Sequence, residues 1–98
     1  MIIGVALKQP WEKLDWDVDC RAAFNLGEDQ VEFVEIIVTP DDPSGLVSYG
    51  QVMDDGDSVK VWFEGGVNEV EYLAEVRIVT AKGRHKEDEI LVRVEERK

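Results

Sequence analysis

SVKVWFEGGVNEVEYLAEVRIVTAKGR, residues 58 to 84, is the stretch whose pattern decides the fold. Val59, Val61 and Phe63 alternate with Ser58, Lys60 and Trp62, so one face is apolar at a period of two. Gly65-Gly66 then stops the run. From Val70 onward the even positions Val70, Tyr72, Ala74, Val76 and Ile78 are apolar, and the odd ones include Glu71, Glu75 and Arg77. Successive strand side chains point to opposite faces, so this pattern describes two half-buried strands joined by a tight connection.

The same period recurs on both sides of that stretch. Upstream, Met1 to Leu7 is a first strand, expected at an edge because Pro10 follows. In LDWDVDC, residues 14 to 20, Leu14, Trp16, Val18 and Cys20 share one face and Asp15, Asp17 and Asp19 the other. A helix would scatter those aspartates around its cylinder, so a strand is expected. Residues 21 to 30 are expected to be mostly loop with a short helical turn at most. Residues 31 to 38 (VEFVEIIV) are strand-like, with Val34, Ile36 and Val38 on one face and Val31 and Phe33 on the other, which fits either a bulge or a two-sided environment. Pro40 to Gly45 is the strongest turn signal, and residues 46 to 53 form a weaker strand kinked at Gly50. Asp54 to Asp57 turns the chain again. Downstream, His85 is expected in a loop, Ile90, Val92 and Val94 face inward, and Glu96 to Lys98 are expected to fray.

Seven short one-sided strands without a long helix are buried economically by two packed antiparallel sheets. The expected fold is all-β, an immunoglobulin or fibronectin-III-like sandwich, with a small Greek-key barrel as the alternative. Trp16, Val61, Phe63, Tyr72, Val76 and Val92 are expected between the sheets. Trp16 and Tyr72 are the fold-defining aromatics. Tyr72 stands just after a turn, where its hydroxyl can return to upstream backbone as the corner tyrosine of such sandwiches does. At 98 residues the chain holds a single domain, 1–98.

Composition narrows the function. Asp and Glu number 22 against 11 Lys and Arg, a net charge of -11. Direct nucleic-acid binding needs concentrated positive charge, so it is not expected. The apolar runs fall far short of membrane-spanning length, and no targeting segment is visible, so synthesis in a reducing cytoplasm is expected. Cys20 is the only cysteine and reads as a buried small hydrophobe; His85 is the only histidine, and nothing pairs the two for catalysis. No phosphate-binding glycine loop, zinc motif or nucleophile elbow is present, so no catalytic, cofactor or metal residue is assigned. The DDGD turn at Asp54, Asp55, Gly56 and Asp57 is a calcium candidate without the spacing of an EF-hand loop. An acidic DNA mimic and a calcium- or glycan-binding module remain open alternatives to a protein-contact role. For that role the candidate contact residues are Trp62, on the outer phase of its strand, and the turns at Gly65-Gly66 and Gly83-Arg84, of which one is expected to meet a partner.

VWFEGG (61 to 66), Tyr72, IVTAKGR (78 to 84) and the closing VRVEE (92 to 96) together resemble the tailed-phage fiber–tail adaptor proteins, small immunoglobulin-like proteins of virions and prophages. LDWDVD (14 to 19) looks like that family's acidic-aromatic first strand and GEDQV (27 to 31) like its Gly-Asp entry. Glu69 stands where the family often has glycine, and Ile36 where it often has tryptophan. The resemblance implies a non-enzymatic structural protein of a phage tail, made in the host cytoplasm and located in the virion. Its partners would be other tail proteins, with no cofactor. Because like copies at this net charge repel, the isolated domain is expected to be soluble and monomeric, multimeric only within the particle.

Overall fold

Each alternating stretch becomes a strand in the computed structural model, which describes residues 1–42 and 45–97. In chain order the elements are β1 (Ile2–Lys8), β2 (Lys13–Asp19), a short helix α1 (Cys20–Phe24), β3 (Val31–Thr39), β4 (Leu46–Val52), β5 (Ser58–Gly65), β6 (Glu71–Thr80) and β7 (His85–Val94). One sheet has the order β1-β7-β6-β3 and the other β2-β5-β4. These are the two layers of an immunoglobulin-like sandwich. Every pairing is antiparallel except β1 with β7, which runs parallel from Ile2 beside Glu89 to Lys8 beside Val94. The edge position expected for β1 is therefore correct, but its partner is the last strand of the chain.

The core lies where the sequence puts its alternating hydrophobes. Val59, Val61 and Phe63 from β5 meet Tyr72, Ala74, Val76 and Ile78 from β6 and Ile90, Val92 and Val94 from β7, all buried. Full burial of one such side chain contributes on the order of 1.5–3 kcal/mol, so this face sets the register of every central strand. Trp16 is only half-buried. It closes the gap beside β1, where its ring lies so close over Gly4 that a Cβ there would collide with it.

β5 and β6 are consecutive yet lie in different sheets. The connection from Gly66 to Val70 carries the chain across the sandwich, and its backbone explains its composition. Gly66 has φ 101°, and a Cβ there would stand 2.7 Å from Val94. Glu69 has φ 67°, the left-handed region that glycine occupies freely. The hydroxyl of buried Tyr72 accepts a hydrogen bond from the Val67 N–H at 3.0 Å, tying the crossing to β6.

Several local expectations change. Residues 20 to 24 are helical because Asp19 acts as an N-cap, its Oδ1 accepting from the Ala22 N–H at 3.2 Å, and Asn25 ends the helix in the left-handed region. The bulge in β3 is present, as a register shift between Val31 and Phe33. Gly50 is no kink: β4 runs in register past it, and Val34 of the facing sheet packs where a Cβ would be. His85 begins β7, paired with Val79, rather than lying in a loop. Glu96 and Arg97 are held rather than frayed, since the Glu96 N–H donates to Asn68 at 2.8 Å and the Arg97 N–H to Gln9 at 3.2 Å. Pro43 and Ser44 of the turn expected from Pro40 to Gly45, and Lys98, lie outside the described residues.

The strand directions define two ends. The upper end gathers the β1–β2 turn, the β5–β6 crossing, the start of β4 and the end of β7. The lower end gathers α1, the Asp54–Asp57 turn and the Ala81–Arg84 turn.

Candidate protein-binding surfaces

Trp62 points outward from the centre of the three-stranded sheet, as its phase predicts, with Asp15 on β2 and Tyr49 on β4 as lateral neighbours. It is half-buried rather than open. The Tyr49 and Trp62 rings stack at 6.3 Å with 21° between their planes. The Lys13 amine stands 5.4 Å from the Trp62 ring centre and 5.8 Å from that of Tyr49, and the Lys60 amine 5.9 Å from Trp62. Cations over an aromatic face are attracted by its quadrupole, so the pair is a fixed, cation-flanked aromatic platform.

Lys60 also changes the meaning of the aspartate row. Its amine contacts Asp15 at 2.7 Å and Asp17 at 3.0 Å. The hydrogen bond to Lys60 holds the Asp15 carboxyl below the usual carboxylate range, and Asp15, then Asp17, raise the lysine in return. With Asp19 spent on the α1 cap, the row carries no run of free carboxylates. The DDGD turn is likewise engaged internally. Asp55 accepts from the Asp57 and Ser58 N–H groups, and Asp57 pairs with Arg21. Among the described residues no three His, Cys, Asp or Glu side chains converge as a cation site.

The two glycine turns lie at opposite ends and differ in kind. At the upper end the Lys8 amine, buried beneath the crossing, donates to the carbonyls of Gln9, at 2.7 Å, and Gly65. Burial pushes its pKa down, against the opposing pull of Glu12 and Glu64. At the lower end Gly83 takes φ 81° with open space around it, while Arg84 is tied inward. The Arg84 guanidinium meets the fully buried Asp29 carboxylate at 3.1 Å, and the Arg84 backbone N–H donates to the Thr80 hydroxyl at 3.0 Å. Arg21 completes the brace by donating to the carbonyls of Gly27 and Asp29 and to Asp57. Arg84 is thus part of the frame that holds the lower end together.

Sequence reasoning passed over three residues that the geometry brings forward. Asp29 accepts hydrogen bonds from the Gln30 and Lys82 N–H groups as well as the Arg84 contact. Burial alone would raise its pKa. The Thr80 hydroxyl, the two backbone donors and Arg84 together outweigh burial and hold it below the usual range. One aspartate among many acidic residues gave no sign of this. Tyr49 is 43 % exposed and completes the Trp62 platform; its strand was weakly patterned. Trp11 is 94 % exposed, and the one available signal was an aromatic residue following proline in a polar stretch.

Taken together, the molecule is a small immunoglobulin-like sandwich that carries an aromatic platform on one sheet and structured turns at both ends. A family model for the podophage GP4 fiber-tail adaptor protein gp77 matches residues 8–93, and the chain belongs to that family. A search of curated proteins found no match.

Proposed function

We propose that this chain serves in the phage tail as a non-enzymatic connector, holding tail proteins together by surface contact alone. The family supplies the setting, and the observation that carries the reading is the Tyr49–Trp62 platform on the outer face of the β2-β5-β4 sheet. Tryptophan and tyrosine are the residues most enriched at energetic centres of protein interfaces. A platform already stacked and flanked by cations loses little freedom on docking. The net charge of -11 disfavours pairing of like copies and speeds the approach of a basic partner, so the isolated chain is monomeric and enters assemblies only in the particle.

The test uses tail particles assembled by the phage without this protein, to which purified chain is added back. Wild-type chain is expected to join them. Trp62→Ala should weaken joining by roughly thirtyfold, the effect of a 2 kcal/mol hot spot. Its folding stability should fall by about 1–3 kcal/mol, the lost ring stack together with the burial of a half-covered ring. Joining unchanged, or a loss of stability large enough to unfold the domain, would remove Trp62 from the interface.

A further inference from the structure

We infer that Trp11, at the upper end, is a preformed anchor that enters an apolar pocket of a protein partner rimmed by Lys or Arg side chains. This rests on the connector reading above and assigns it a second contact, at the Gly65-Gly66 end rather than the Gly83-Arg84 end.

The turn that bears Trp11 is locked from several directions. Pro10 fixes one backbone angle. The Glu12 N–H donates to the Gln9 carbonyl at 3.0 Å, and the Gln9 N–H donates to the Glu12 carboxylate at 2.6 Å. From beneath, the buried Lys8 amine holds the same Gln9 carbonyl, and the Gln9 side chain accepts from the Arg97 N–H. All this order supports a ring that is 94 % exposed and contributes almost nothing to the fold. A rigid backbone presenting an unburied indole gives up little entropy on docking and gains the burial of a large apolar side chain.

The surroundings specify the partner's chemistry. A cavity of about 370 Å³ lies beside the turn, lined by Glu12, Glu95 and Glu96 but also by Lys8, Arg93 and Arg97. Lys8 is held by backbone carbonyls and Arg93 by Glu71, which leaves Glu95 and Glu96 against Arg97 alone. Leu7 is 59 % exposed, and Val67 of the neighbouring crossing 40 %. Among the described residues Glu12, Glu69, Glu95 and Glu96 form no ion pair, whereas Glu64 and Glu71 are paired to Lys13 and Arg93. The upper end thus combines an apolar knob and a cavity of side-chain size with the carboxylates of Glu69, Glu95 and Glu96, which no cation among the described residues pairs, while the Glu12 carboxylate is held by the Gln9 N–H. A pocket for the indole, edged by a Lys or Arg that reaches the cavity, complements both. A second copy of this chain would bring carboxylate against carboxylate.

The experiment adds the full chain back to tail particles assembled without it, with three variants and a melting curve for each. Trp11→Ala should melt as wild type does yet join more than about tenfold more weakly, with Trp11→Phe restoring most of the loss. Glu95→Lys combined with Glu96→Lys should also join more weakly, and the wild-type affinity should fall as salt rises. Trp11→Ala joining as wild type does, while wild type itself joins, would overturn the anchor and leave the connector reading standing. Failure of the wild type to join at all would instead sink the connector reading. A wild-type dimer in sedimentation that Trp11→Ala dissolves would overturn the assignment by making a second copy the occupant.

Discussion

Replacing Tyr72 by Phe isolates one hydrogen bond. The ring is 1 % exposed and would stay where it is, so the apolar burial is unchanged and the transfer contribution is nil. What disappears is the acceptor for the Val67 N–H, now 3.0 Å from the hydroxyl. A neutral bond of this length contributes about 0.5–1.5 kcal/mol net, and a donor stranded away from water costs about 1–3 kcal/mol. The bond is only partly buried, so the lower range applies. A loss of about 1 kcal/mol in urea unfolding is therefore expected, or about 4–8 °C in melting temperature for a domain of this size. Gly45 offers a check on the geometry. A Cβ there would sit 3.1 Å from the same hydroxyl, so Gly45→Ala should be less damaging in the Tyr72→Phe background than alone. Equal stability of Tyr72→Phe and wild type would refute the corner bond. A loss above about 3 kcal/mol would mean that the ring itself had repacked.

The remaining predictions concern buried ionisable groups. Burial, assisted by the charges of Asp19, Asp55 and Asp57, pushes the Cys20 thiol up to about 12. At pH 8 only about one molecule in ten thousand would carry the thiolate, so a thiol reagent should label the native chain far more slowly than the urea-unfolded one; equal rates would show that the site is open. Asp29 has its pKa depressed in the fold, so the stability it supplies is present above its unfolded value, about 3.9, and is lost as pH falls through its folded value. Asp15 and Asp55, also depressed, act on the same acid limb. Asp29→Asn should melt lower than wild type at pH 7 and lose less on acidification below pH 4; parallel acid limbs would exclude Asp29 as a contributor.

The sandwich was legible because its central strands are patterned without ambiguity. Val59, Val61 and Phe63, and Tyr72 to Ile78, can bury only one face as strands, and they do. What period-two reasoning does not encode is which strands become neighbours. The parallel seating of β1 on β7 and the crossing of β5 and β6 between sheets depend on contacts between segments far apart in sequence. The outward phase of Trp62 was readable, but its stacking on Tyr49 was not, because lateral partners follow from register between strands. Glu69 illustrates a partial reading. The resemblance set it against an expected glycine, yet only the backbone shows why glycine would suit a position with φ 67°. Asp29 and Trp11 escaped for opposite reasons. One is a charged residue that the fold buries with four donors, the other an apolar residue that the fold leaves outside.

The parallel pairing of β1 with β7 has a mechanical consequence. Because the two strands run the same way, the chain leaves Ile2 toward one end of a domain 46 Å long and leaves Val94 toward the other. Tension between the two ends of the chain would therefore pull β1 and β7 past each other lengthwise, loading the ladder from Gly4 to Lys8 all at once in shear. An antiparallel pair pulled from a shared end would instead open one bond at a time, like a zipper. If the domain were held by its two ends, it would yield along its long axis only when the whole β1–β7 ladder gave way together.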